Sequence, residues 1–387
     1  MDFQLTDTQK QIRETAWRMA SSFPITYWRQ KDKDEEYPWE FVKLFADGGW
    51  MGVMIPERYG GMGLGVTEAA LILHEVAASG AGMSGASAIH FCVFPPSPII
   101  RHGNEQMKAT YLPRLAAGQM LVAFGITEPN AGSDTSRIET RAEQRNGAWV
   151  INGQKVWTTN AQNAEKILLL TRTSARDEKS PLEGMTLFFT DFDRKYCTIR
   201  KIDKLGRAAI DSNEVFIENL PATDGDIVGE VGKGFYHLLS GLNPERIVLA
   251  AEAIGIGRCA LRIASEYAAN RQVFGRLIGQ NQAIAHPLAK VWAALESAEL
   301  MVLKAAWLYD HGNSCAKEAN AAKYLAAEAA FQACDAAVQT LGGFGYAKEF
   351  DVERLWREVR LYKIAPISQE MVLNYLSHKA LNLPKSY

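Results

Sequence analysis

The feature that most constrains this chain is a double switch in hydrophobic period, from helical spacing to short β-rich runs and back to helical spacing. The β-rich runs are Leu121 to Ile126, Trp149 to Ile151, Ile167 to Thr171, Met185 to Phe189 and Val215 to Ile217, with turn signals at Asn146-Gly147 and Asn152-Gly153. Ahead of them, Thr6 and Gln9 form a capping box, and Pro38 to Asp47 reads as a helix stopped by Gly48 and Gly49. Helical stretches are also expected at Thr67 to Ala78, after the glycine-rich turn Gly60 to Gly65, and at about Glu105 to Ala117. From Gly234 the alanine-rich sequence returns to long helices, broken near Arg276 to Gln280, at His311 to Ser314 and at Gly342, Gly343 and Gly345. The expectation is an α+β chain with units at 1–118 (helical), 119–228 (β) and 229–387 (helical). A strict βαβ alternation is missing, which argues against a doubly wound nucleotide-binding fold.

A length of 387 residues supports two or three packed units, and 42 basic against 44 acidic side chains give no pull toward nucleic acid. Five scattered cysteines (Cys92, Cys197, Cys259, Cys315, Cys334) form no C-x-x-C pair and read as buried free thiols. The histidines His74, His90, His102, His237, His286, His311 and His378 lack ligand spacing, so no metal is expected. Gly255-x-Gly257 lacks a third glycine, and Gly232-Lys233 runs into Gly234, so neither a Rossmann nor a P-loop motif is present. The start MDFQLTDTQK has an early acid and no apolar core, and no run reaches spanning length; the expectation is a cytoplasmic protein with no membrane contact.

Two stretches carry more specific information. Ile126-Thr127-Glu128-Pro129-Asn130-Ala131-Gly132-Ser133-Asp134 leaves a strand through a Pro/Gly turn and crowds hydroxyl and backbone donors together. A later strand ends in Trp157-Thr158-Thr159-Asn160, an aromatic ring beside hydroxyls. Together they resemble the acyl-CoA dehydrogenase family, whose middle domain carries such a loop and strand end around its flavin. The resemblance implies a middle β-barrel or sandwich domain, a C-terminal four-helix bundle, and FAD as cofactor. It places Phe124, Ile126, Thr127, Gly132, Ser133, Trp157, Thr158 and Thr159 along the flavin, with Thr127 and Thr159 at the ring edge and Ser133 also touching substrate.

The resemblance extends to Asn270-Arg271-Gln272-Val273-Phe274-Gly275 with Gln282, and to Gln339 through Tyr346 with Gly342 and Gly343. A guanidinium beside glycine backbone suits a pyrophosphate. In the family these groups reach in from a neighbouring subunit, which implies a homodimer or homotetramer. Ser368 and Glu370 match further flavin-contacting positions.

Desaturation next to a thioester needs a base for the α-proton, a hydride acceptor and donors for the developing enolate. A glutamate serves as base if burial raises its pKa from about 4.3 toward 6 or 7. Many relatives carry the base near the C-terminus, where this chain has Pro366. A branch resembling isovaleryl-CoA and long-chain acyl-CoA dehydrogenases carries it just before a helical arginine, a pattern matched by Asn243-Pro244-Glu245-Arg246. Glu245 is the expected base, against a rival reading as a plain helix-start glutamate; Glu370 is the alternative carboxylate.

In the family a backbone N–H at the Pro366 position binds the thioester oxygen, and proline has none to give, so the Ile367 amide is the expected substitute. Tyr236, Asn243 and Arg246 match substrate-contacting positions, although Tyr236 equally fits an interface. The implied function is conversion of an acyl-CoA to its 2,3-enoyl-CoA, with electrons passed to an electron-transfer flavoprotein. Alternatives are enoyl-CoA reduction, oxidase or desulfinase-type chemistry on the same fold, or a catalytically silent flavin or acyl-CoA binder.

Overall fold

A computed structural model describes residues 4–93 and 96–385 of the chain. Helix α1 (Asp7–Ser21) starts on the expected cap: the Thr6 hydroxyl accepts the Gln9 N–H at 3.2 Å, and the Gln9 carboxamide accepts the Thr6 N–H at 3.1 Å. Helices α2 (Ile25–Asp34), α3 (Trp39–Asp47), α4 (Val66–Val76), α5 (Gly82–Val93), α6 (Pro96–His102) and α7 (Glu105–Ala116) follow. α3 stops at Gly48 as expected and buries Phe41, Val42 and Phe45 at helical spacing. α4 runs on through a π turn, Ala77–Ala81, in which Gly80 adopts φ 108°. The chain then restarts as α5, whose Met83 N–H and Ser84 hydroxyl donate to the buried Glu358 carboxylate at 2.7 and 2.8 Å.

The middle unit is one seven-stranded sheet: β1 (Val122–Gly125), β2 (Arg141–Arg145), β3 (Ala148–Thr159), β4 (Lys166–Arg172), β5 (Met185–Asp191), β6 (Cys197–Lys201) and β7 (Ser212–Ala222). Its order is β1-β4-β2-β3-β7-β6, with β5 antiparallel to β4. Along β4, Leu168 and Leu170 enter a core shared with Leu112, Leu115 and Leu238. Ile167 and Leu169, on its other face, enter a second core with Phe188 and Val215. An unbroken apolar run is what a strand covered on both faces requires.

The two turn signals part company. Asn146-Gly147 makes the β2–β3 hairpin, both residues at positive φ (52° and 81°), as a type I′ turn demands. Asn152-Gly153, expected as a turn, lies inside β3 as a bulge with a register shift between Ile151 and Gly153. A Cβ at Gly153 would meet Thr140 Oγ1 at 2.4 Å, so glycine is needed there for close approach. β2 and β6 have no apolar alternation to announce them and form by registering on β3 and β7.

The C-terminal unit holds α8 (Gly234–Asn270), a hairpin of β8 (Gln272–Val273) and β9 (Arg276–Leu277), α9 (Gln282–Asp310), α10 (Ala316–Leu341), α11 (Val352–Val359) and α12 (Gln369–Lys379). Buried alanines such as Ala253 and Ala264 on α8 and Ala326, Ala330 and Ala337 on α10 share one core with α4 and α5, so the N-terminal helices pack on α8. Cys197, Cys259, Cys315 and Cys334 are buried and free; the Cys92 side chain lies outside the described residues. Among the described residues no helix is long and apolar enough to cross a membrane.

Candidate active site

β1 delivers the chain into the Ile126–Ser133 loop, and a buried ion pair fixes that loop. Lys155 of β3 is 0% exposed; its Nζ donates to the Ile126 carbonyl at 3.1 Å and to Glu128 Oε1 at 2.7 Å. The Glu128 carboxylate also accepts the Glu139 and Thr140 N–H groups at 2.6 and 3.0 Å. Burial works to raise the Glu128 pKa, but Lys155 and these donors outweigh it and hold the carboxyl below its ordinary range. Glu128 and Ala131 exchange backbone hydrogen bonds, and the Val156 N–H donates to the Thr127 carbonyl at 2.9 Å. Pinned from below, the loop presents Gly132 and Ser133 outward, with open space beside Gly132. Phe124, Ile126 and Thr127 are half-buried along its inner edge.

At the end of β3 the ladder to β7 slips between Lys155 and Thr158. Trp157 sits in the slip at φ 61° with its indole 56% exposed. A left-handed backbone costs a bulky residue ~1–3 kcal/mol, and such strain collects at ligand sites. Thr158 and Thr159 are buried. The Thr159 hydroxyl accepts from Arg207 Nη2 at 3.2 Å, which engages its oxygen and leaves its O–H to donate elsewhere. Arg207 also donates to Ser212 Oγ at 3.0 Å.

Glu245 lies in the interior of α8, three turns beyond Gly234, which removes the helix-start reading. It follows Pro244, whose missing N–H leaves the carbonyl four residues earlier without its helical donor. The side chain is buried, and burial pushes its pKa up to about 7; His90 and Arg246 oppose this and Glu252 adds to it. Below it is a polar network that sequence reasoning missed. Glu252, 0% exposed, lies 2.8 Å from His90 Nδ1 and accepts the Tyr362 hydroxyl at 2.9 Å. Burial favours neutral His90, but Glu252 and then Glu245 outweigh it and raise its pKa.

Arg246 links Glu245 to the C-terminal elements. It is half-buried, donates to Asn243 Oδ1 at 3.2 Å, and has a buried Nε with no partner among the described residues. Burial lowers its pKa, while Glu245 and Tyr375 of α12 are the leading charges working to raise it. Pro366 and Ile367 lie in the connection into α12, Pro366 exposed and Ile367 half-buried. Ser368 caps that helix, its hydroxyl accepting the Met371 N–H at 3.4 Å. Glu370 is exposed in the first turn, with its own backbone N–H and the Ser368 hydroxyl holding its carboxyl below the ordinary range. It has none of the burial that prepares Glu245. Tyr236, in the first turn of α8, is 43% exposed with the Lys233 ammonium 5.6 Å from its ring.

The remaining expected residues gather at the opposite ends of α8 and α10. Arg271, Phe274, Gln282, Gln339, Gly342 and Gly343 are all exposed, and the Arg271 guanidinium stands 5.9 Å from the ring of Phe344. Nothing lies within 4 Å of a Cβ built on Gly342 or Gly343. No hydrogen bond or ion pair among the described residues joins this group to the Gly132–Trp157 face.

Comparison with known proteins identifies the fold. The acyl-CoA dehydrogenase N-terminal, middle and C-terminal domain models match residues 6–119, 123–220 and 232–380. An acyl-CoA dehydrogenase of Mycobacterium tuberculosis is 36% identical over 388 residues, covering 99% of this chain and 98% of its own. The mitochondrial isovaleryl-CoA dehydrogenase of Oryza sativa is 34% identical over 94% of this chain and 89% of its own. The structure of butyryl-CoA dehydrogenase from Megasphaera elsdenii superposes with a TM-score of 0.93 at 30% identity, covering 99% of this chain and all of that one. With a curled sheet between two helical units and family models covering nearly its whole length, the chain belongs to the acyl-CoA dehydrogenase family.

Proposed function

We propose that the protein is an FAD-dependent dehydrogenase that converts an acyl-CoA to its 2,3-enoyl-CoA, with Glu245 as the base. The observation that carries this reading is the buried Glu245 carboxyl inside α8, which burial pushes up to about 7. A base near neutrality takes a weakly acidic C–H proton without being locked in its protonated form. Glu370 is exposed and lacks this preparation.

The residues present suit a flavin. An exposed indole and the displayed Gly132 and Ser133 offer one flat surface and a row of main-chain and hydroxyl donors, and the Thr159 O–H is left to donate. Bound FAD supplies the hydride acceptor for the β-carbon. Phe124, Ile126, Thr127, Trp157 and Thr158 complete its bed. Ser368 and Glu370 lie at its far edge. Arg271, Phe274, Gln282, Gln339, Gly342 and Gly343 serve the pyrophosphate of a neighbouring copy, in a homodimer or homotetramer. Ser133, Tyr236, Asn243 and Arg246 hold the acyl-CoA. The Ile367 amide takes the thioester oxygen in place of the N–H that Pro366 lacks. Units at 1–118, 119–228 and 229–387, a cytoplasmic location and an electron-transfer flavoprotein as acceptor belong to the same reading.

Anaerobic mixing of the yellow holoprotein with a panel of straight and branched acyl-CoAs tests it. The visible flavin band bleaches with the right thioester, and Glu245→Gln binds the same thioester with a shifted but unbleached spectrum. A wild-type protein that no acyl-CoA bleaches is a binder or runs other chemistry.

A further inference from the structure

A buried cation under the connection into α12 has a role that the base and the flavin bed leave unexplained. Lys323 of α10 is 2% exposed, and its Nζ donates to the Ile367 carbonyl at 2.6 Å. It forms no ion pair among the described residues: nearby Glu328 is held by Lys363 at 2.7 Å, and Glu370 stands in solvent. Burying an ammonium without a carboxylate partner is expensive, and a neutral amide would tie a helix to a loop at lower cost. The charge therefore calls for a use at that carbonyl.

We infer that Lys323 is a positioning residue for the thioester: its bond to the Ile367 carbonyl fixes the segment that carries the Ile367 N–H, the stand-in for the one lost at Pro366, and polarises the Ile367–Ser368 peptide, strengthening the Ser368 N–H beside it. The Ile367 carbonyl and the Ser368 N–H belong to one conjugated peptide unit. A cation on the oxygen draws electron density from the nitrogen and makes that N–H a stronger donor. The Ile367 and Ser368 amides donate to no protein acceptor among the described residues, and the Ser368 hydroxyl is occupied by Met371. Both amides precede the first turn of α12, where helical N–H groups also point outward.

The charges around Lys323 fit the same purpose. Arg246 of α8 bears on both Lys323 and Glu245, and Glu370 and Glu328 act from a distance in favour of the Lys323 charge without forming an ion pair with it. When Glu245 takes the α-proton, negative charge moves onto the thioester oxygen. Lys323 and the α12 start meet that charge as it forms, and no protein group has to move.

This inference rests on the dehydrogenase reading above, so its test separates the two. Wild-type, Lys323→Gln and Lys323→Met holoproteins are titrated with a 2,3-enoyl-CoA bearing a conjugated aryl chromophore. Its absorption moves to the red when the thioester carbonyl is polarised, and no turnover is needed. In Lys323→Met most of that red shift disappears, and flavin reduction at saturating acyl-CoA slows by about ten- to a hundredfold, with KM changing far less. Lys323→Gln, which keeps a neutral donor to the Ile367 carbonyl, falls between.

A wild-type red shift and rate in Lys323→Met overturns the inference while leaving the dehydrogenase reading intact. If Lys323→Met does not hold flavin, Lys323→Gln decides alone: an undiminished shift there shows the charge is not needed. A wild-type protein that neither shifts the chromophore nor bleaches with any acyl-CoA sinks the parent reading, and this one with it.

Discussion

At Glu245 burial and neighbouring charge pull in opposite directions, and burial wins. Burial pushes the carboxyl from an ordinary 4.5 up to about 7, despite His90 and Arg246 nearby. A glutamate base works only when ionised, so under the proposed function the rate of flavin reduction should rise with pH through about 7, and it should fall again as Lys323, which burial holds down to about 8, loses its charge. A stopped-flow pH profile that is flat from 5 to 9, an interval of roughly two units either side of that value, would remove Glu245 as the group in control. Stability runs the other way. A raised folded-state pKa stabilises fully below the unfolded value and loses that contribution between 4.5 and about 7, as the unfolded chain ionises first. Substrate-free Glu245→Gln should therefore be more stable than wild type at pH 8, by on the order of 3 kcal/mol, and equal to it near pH 4. Denaturant melts at the two pH values check both halves. The proposed base was legible as a candidate in Asn243-Pro244-Glu245-Arg246 because the pattern is local. The network beneath it was not, because His90 and Glu252 lie 162 residues apart and only the packing of α5 on α8 brings them together.

Among the elements, the loop after β1 depends on Lys155 more than on its own turn residues. The acidic residue of the Thr127-Glu128-Pro129 run faces inward, where it gathers a buried ammonium and two backbone N–H groups. Removing either charge alone strands the other. Glu128→Gln and Lys155→Met should each cost about 3–5 kcal/mol, and the double variant should cost less than the sum. Urea unfolding of the four proteins gives the coupling directly; additive losses would show that the pair acts as two separate groups. Both single variants should also purify with less flavin, since Gly132 and Ser133 lose their support. The sequence displayed this motif as a row of donors and hid its scaffold, because Lys155 lies 27 residues away on another strand. Strand legibility follows the same logic. β4 and β5 are apolar on both faces and announce themselves, whereas β2, with the sequence RAEQR, is a strand only because the Asn146-Gly147 turn folds it onto β3. Asn152-Gly153 carries the same turn chemistry and became a bulge because the ladder to β7 continues past it.

For the whole molecule, the proposed function has a working unit of more than one copy, and exposed aromatic side chains offer a surface for it. Phe274 is 99% exposed at the tip of the β8–β9 hairpin, Tyr346 is 87% exposed, and Trp292 and Trp307 are each 54% exposed on α9. Isolated apolar side chains on a surface are ordinary, but a hairpin tip carrying a bare phenyl ring beside Arg271 and open glycines is a surface shaped for a partner. Under the proposed function a second copy of this chain supplies the other half of the cofactor site, in keeping with the absence, among the described residues, of a hydrogen bond or ion pair between the Gly132–Trp157 face and the Arg271–Gly343 group. Assembly and flavin retention should then fail together. Phe274→Asp puts a charge where an apolar contact is needed, and should lower both the mass measured by light scattering and the flavin-to-protein absorbance ratio. Thr159→Val removes a single hydroxyl inside one subunit, and should weaken flavin binding while leaving the mass unchanged. A smaller Phe274→Asp species that keeps one flavin per chain would show each copy holding its cofactor unaided, and would return Arg271 and the glycine cluster to a purely structural role.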